Sequence, residues 1–164
     1  VGGRYDNKEE AADRFKQNFI RLPDRIRKRI ILENDDKIFT AAEVLAICRE
    51  LDIPMVLDVH HHKCANNGEL ITELLPDIFN TWSEEPDNPK IHFSSPKNEK
   101  EFRSHSDYID YSDFMEFINV AKVYDRNIDI MLEAKMKDKA LLELSGQLAE
   151  TEGLTRINRA AFQI

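Results

Sequence analysis

With 164 residues, 41% of them hydrophobic, and only five glycines and six prolines, the chain is long enough to bury a core and too apolar to be disordered. Its formal charge of −8, from 31 acidic against 23 basic residues, argues against nucleic-acid binding through surface charge alone, a sum that bound divalent cations would change. No apolar run approaches the ~20 residues that span a bilayer, the polar start VGGRYDNKEE lacks a signal-peptide pattern, and two cysteines make no disulfide framework. The expectation is a soluble protein of a reducing, cytoplasmic compartment.

In chain order, Asn7 with Glu10 three residues on marks a helix start, and Ala12, Phe15, Phe19 and Leu22 form its apolar stripe. The basic run RLPDRIRKR, from Arg21 to Arg29, reads as a solvated face. RIILEN, residues 29–34, is the first buried strand. Thr40-Ala-Ala-Glu43 is a capping box, after which Val44, Ile47, Cys48 and Leu51 share one helix face, so Cys48 reads as core. PMVLDVH, residues 54–60, is the second strand, and a helix over 68–80 follows, interrupted or kinked at Pro76, which lacks a backbone donor. A polar loop from Glu84 to Pro89 leads to the third strand, KIHFSS, residues 90–95. A helix over 112–124 precedes the fourth, IDIMLEAK, residues 128–135. A last helix over 136–150 aligns Ala140, Leu141, Leu144 and Leu148. Trp82 and the phenylalanines read as core or lid. Helices alternating with four strands predict one α/β domain over 1–164, with a parallel sheet and right-handed crossovers.

The polar residues at the strand ends carry the chemistry. Glu33 ends the first strand, Asp58 and His61 the second within LDVHHHKC, His92 lies in the third and Glu133 ends the fourth. The C-terminal ends of parallel strands open on one face, where side chains from separate strands can converge on one ion. Glu33 follows Ile30, Ile31 and Leu32, so its carboxylate needs a cation or strong donors nearby; Asp35 and Asp36 read as caps for the next helix. Alternation along a strand predicts that His60, His61 and His62 cannot all face one site, and that Lys90 points the same way as His92, either as a site residue or in a salt bridge to an acid. Cys64 reads as a bystander beside nitrogen and oxygen donors. His105 lies on a loop, with Lys97, Lys100 and Arg103 nearby as phosphate contacts or as a solvated segment.

Together the stretches VGGRYDNKEEAADRF, RIILENDD, MVLDVHHHKC, KIHFSS, FRSHSDYID and DIMLEAKMKDKAL resemble the second half of a UV damage endonuclease. That resemblance implies a TIM-type barrel of the superfamily of endonuclease IV and xylose isomerase, of which this chain would supply only the C-terminal four strands, a half-barrel. It implies a DNA repair activity that nicks the backbone 5′ to UV photoproducts such as cyclobutane pyrimidine dimers, and also at abasic sites. A cluster of divalent metals, manganese foremost with zinc or magnesium as alternatives, would be held by Glu33, Asp58, His61, His92, His105 and Glu133, with Lys90 a site residue whose amine is neutral or carboxylated. The partners implied are damaged double-stranded DNA and either the missing N-terminal half or a second copy joined through open sheet edges. Two alternatives remain at this stage: a metal-dependent sugar isomerase or epimerase of related architecture, and a non-catalytic half-barrel.

Overall fold

The computed structural model describes Gly3, Arg4 and residues 7–164; Val1, Gly2, Tyr5 and Asp6, part of the N-terminal stretch quoted above, lie outside the described residues. By their internal contacts the residues form two compact units, Val1–Ile91 with Asn127–Asp129, and His92–Arg126 with Ile130–Ile164.

The first unit opens with α1 (Lys8–Phe19), whose N-cap Asn7 accepts a hydrogen bond from the Glu10 N–H at 3.1 Å. The basic run forms one exposed turn of helix, α2 (Asp24–Arg27). Next come β1 (Leu32–Glu33), α3 (Ala41–Leu51), β2 (Met55–Asp58), α4 (Val59–Cys64) and α5 (Ile71–Asn80). The expected capping box is present on α3: the Thr40 N–H donates to Glu43 at 2.8 Å and the Glu43 N–H to the Thr40 hydroxyl. Val44, Leu45, Ile47 and Cys48 of α3 are buried with Met55, Val56 and Leu57 of β2 and Leu75, Ile78 and Phe79 of α5. The Trp82 indole N–H donates to the Met55 carbonyl at 2.7 Å, which makes this tryptophan core rather than lid. Strand β1 runs parallel to β2, with Leu32 opposite Met55 and Glu33 opposite Val56.

β3 (Lys90–Phe93) begins in the first unit and ends in the second. The second unit continues with α6 (Tyr111–Ala121), a 3-10 turn over Lys122–Tyr124, β4 (Asp129–Leu132), α7 (Asp138–Ala149) and a hairpin of β5 (Thr155–Arg156) with β6 (Phe162–Gln163). Its core is built on Phe93, whose ring meets Phe114 edge-on at 5.2 Å between centroids and Phe117 at 5.9 Å. The hydrogen-bonded strand order is β1-β2-β3-β4. Asp129 N–H donates to the Pro89 carbonyl and Glu133 N–H to the Phe93 carbonyl, both at 2.9 Å, so β4 advances in step with β3 and the pair is parallel.

Three expectations are corrected. The second strand stops at Asp58, because the Asp58 carboxylate accepts the His61 N–H at 2.7 Å and starts α4; the histidine run is a helical turn, not a strand. Pro76 does not interrupt its helix, since α5 continues through it. Leu141 faces outward and is exposed, the buried stripe of α7 being Ala140, Leu144 and Leu148. No helix among the described residues is long and apolar enough to cross a membrane.

Candidate metal centre

Each strand end delivers its acid or imidazole through a specific local device. Glu33 is the last residue of β1 and Asp58 the last of β2, where its side chain is fully buried. A buried carboxylate is costly unless donors or a cation meet it. One oxygen of Asp58 caps α4 and turns the chain back on itself. That turn brings His61 Nδ1 to 3.5 Å from Glu33 Oε1 and 3.5 Å from Asp58 Oδ2. The same nitrogen lies 2.9 Å from the Asn34 carbonyl oxygen. A carbonyl can only accept, so Nδ1 carries the proton and the imidazole lone pair sits on Nε2, the arrangement that metal-binding histidines adopt.

In the second unit a carboxylate is shared by two imidazoles. Glu133 follows β4, anchored through its N–H to Phe93; its Oε1 lies 3.4 Å from His92 Nδ1 and its Oε2 3.9 Å from His105 Nδ1. His105 is not a loose loop residue. It pairs with Pro96 in an antiparallel bridge, and Ser106 N–H donates to the Ser95 carbonyl at 2.9 Å.

Within the first unit, one ligand atom each from Glu33 and Asp58 lie within 4.8 Å of one another, and His61 Nδ1 lies 3.5 Å from both carboxylates. Donors bonded to one first-row divalent ion at ~2.1 Å stand about 3–4 Å apart. Carboxylate oxygens and imidazole nitrogens without thiolate suit manganese, zinc or magnesium better than soft ions. The residues therefore fit a divalent ion.

Other expected participants lie apart from these contacts. The Lys90 ammonium is 3.2 Å from Asp129 Oδ2 and 5.7 Å from the centroid of the Trp82 ring, two residues before His92 on the strand. The Asn88 amide and then Lys90 hold the Asp129 carboxyl below the ordinary carboxylate range against a smaller opposing effect of burial. Lys97 pairs with both oxygens of Glu101, at 2.8 and 2.6 Å, and Lys100 and Arg103 are exposed. His60 is buried with its Nε2 3.7 Å from Cys64 Sγ, and His62 is buried near Glu69, its pKa lowered by burial against the pull of Glu69. Asp35 does not cap α3. Burial raises the Asp35 pKa, but the N–H groups of Ile38, Lys37 and Phe39, at 2.5, 2.8 and 3.1 Å, outweigh it and hold the carboxyl below its usual value. The residue that sequence reasoning passed over is Asn34, buried between two candidate ligands; its only signal was an amide inside LENDD.

The family model described as UV-endonuclease UvdE matches residues 1–164. The chain belongs to that family. Proteins called UV DNA damage endonuclease from Bacillus cereus (strain B4264) and Bacillus mycoides (strain KBAB4) are each 48% identical to it over 163 residues, 99% of this chain and 51% of theirs. A crystal structure titled SacUVDE superposes with a TM-score of 0.80 at 35% identity, covering 91% of this chain and 49% of the other. The chain thus spans about half the length of the curated relatives it matches.

Proposed function

We propose that residues 1–164 are the C-terminal half of a TIM-type barrel endonuclease that nicks DNA 5′ to UV photoproducts, and also at abasic sites, by metal-assisted hydrolysis. The observation that carries this reading is the convergence of Glu33, Asp58 and His61, the imidazole 3.5 Å from each carboxylate, in a chain matched end to end by the UvdE family model. The sequential strand order β1-β2-β3-β4 supports the half-barrel, since an arc of a barrel places consecutive strands side by side, with no reversal.

Glu33, Asp58, His61, His92, His105 and Glu133 would hold the ions, manganese foremost. When bound, such ions supply Lewis-acid activation of water and neutralise charge on the phosphate. The chain's own part is to fix the donors. Asp58 is buried and anchored as a helix cap, Nδ1–H of His61 is tied to a backbone carbonyl, and Glu133 is set by its bond to Phe93. The contact of Lys90 with Asp129 favours the ion-pair role for that lysine. A carbamate formed from the neutral amine and carbon dioxide, with release of a proton, is the form in which it would serve the centre as an anion. A net charge of −8 leaves a cation-loaded centre as the place where a DNA phosphate can approach. The partners in this reading are damaged duplex DNA and the other half of the barrel or a second copy, and the compartment is the cytoplasm. The match to the UvdE family model favours the endonuclease over a sugar isomerase or epimerase.

The test is a nicking assay on a duplex carrying one defined pyrimidine dimer, with manganese, using this chain alone and then with the remaining half of the barrel. A single nick 5′ to the dimer in the completed protein supports the reading. No nicking by a folded, metal-loaded completed protein overturns it.

A further inference from the structure

Asn34 is 1% exposed and follows Glu33 directly, one step beyond the last regular pair of β1 with β2. Its carboxamide takes over where the ladder stops: Nδ2–H donates to the Asp58 carbonyl and Oδ1 accepts the Asp58 N–H, both at 2.9 Å. Its own carbonyl accepts Nδ1–H of His61, also at 2.9 Å. One residue thus grips the backbone of one candidate ligand through its side chain, fixes the ring of a second through its main chain, and is covalently joined to a third.

We infer that Asn34 is the positioning residue of the metal centre, setting the Asp58 carboxylate and the lone pair of His61 Nε2 for the ion. The inference rests on the metal reading proposed above. The physics is that of a ligand's supporting hydrogen bonds, which set ring orientation and tautomer, and whose loss typically lowers metal affinity ~10–100-fold. The amide is specific to the task. A carboxylate of the same shape at position 34 would keep the acceptor for the Asp58 N–H but lose the donor to its carbonyl, placing two oxygens face to face. An alanine would leave two buried backbone groups of Asp58 without their present partner.

The test compares wild type with Asn34→Ala and Asn34→Asp in the full chain, with Val44→Ala, a core truncation on α3 outside the ligand set, as a stability control. Two quantities are read: the dissociation constant for Mn2+ by electron paramagnetic resonance, and the His61 tautomer by long-range proton–nitrogen NMR without metal. The expected result is Mn2+ binding weakened about 10–100-fold in both Asn34 variants and a mixed His61 tautomer, while Val44→Ala lowers the melting temperature yet keeps wild-type affinity and a pure Nδ1–H ring. Wild-type affinity and tautomer in a folded Asn34 variant would overturn the proposal. Should the wild type itself bind no Mn2+, the metal reading fails and with it the role assigned to Asn34, whereas a tautomer change on its own would then mark a structural clamp. Should Asn34→Ala not fold, Asn34→Asp supplies the comparison, and failure of both alongside a folded Val44→Ala contradicts a role confined to positioning.

Discussion

Glu133 Oε1 stands 3.4 Å from His92 Nδ1, although the two residues are 41 positions apart in sequence. The separation is longer than a good hydrogen bond and suits neighbouring donors on one ion. Glu133→Gln keeps the size and one carbonyl oxygen but removes the charge. It should weaken Mn2+ binding at least about tenfold with the circular dichroism spectrum unchanged, because an amide is a poorer ligand for a hard cation. Unaltered affinity in a titration would remove Glu133 from the ligand set.

Acid stability should report on Asp35. Its folded pKa is depressed below 3.8 by the Ile38, Lys37 and Phe39 N–H groups acting against burial, so the stability it contributes is present above the unfolded value and is lost as pH falls through the folded one. Urea unfolding of Asp35→Asn against wild type should therefore show a gap that is full near neutral pH and narrows below about pH 4. A gap independent of pH would show that the Ile38, Lys37 and Phe39 N–H groups do not hold the Asp35 carboxyl below its unfolded value.

The two cysteines should separate by reactivity. Burial pushes the Cys48 thiol up to about 12, and its side chain is almost wholly enclosed, whereas Cys64 is half-buried. Alkylation at pH 8 should modify Cys64 and spare Cys48 until the protein is unfolded. Mass spectrometry of digested, labelled protein reads this directly, and early labelling of Cys48 would contradict the packing described for α3.

Thr40→Ala removes one half of the capping box on α3. A loss of about 1 kcal/mol in unfolding free energy is expected from such a cap. Calorimetry that finds no change would mean that the Glu43 side chain alone holds the helix start.

The strand and helix order was legible because the physical signals are local: Asn7 and Thr40 each cap the helix their side chains announce, and the apolar runs ending in Glu33, Asp58 and Glu133 each supply or abut a strand. The histidine run misled because Val59 resumes, beyond Asp58, the apolar run of Met55, Val56 and Leu57. The deciding interaction, the Asp58 carboxylate on the His61 N–H, is one hydrogen bond that periodicity does not encode. The same bond explains how His61 differs from His60 and His62, which the helical turn buries while His61 is kept beside Glu33 and Asp58. Lys90 was placed on the right strand, but alternation fixes only a direction, not which acid a long flexible amine meets, and Asp129 is the one it meets. The short hairpin of β5 and β6 carried no readable signal, its strands being two residues each and largely exposed.

The central claim is that Glu33 and Asp58 grip one cation. Crystals soaked in manganese chloride and measured at the manganese absorption edge test it most directly. The account predicts an anomalous peak bonded to both side chains, lost in Asp58→Asn. A folded protein whose difference map is flat there, or whose ordered manganese lies elsewhere, would contradict it.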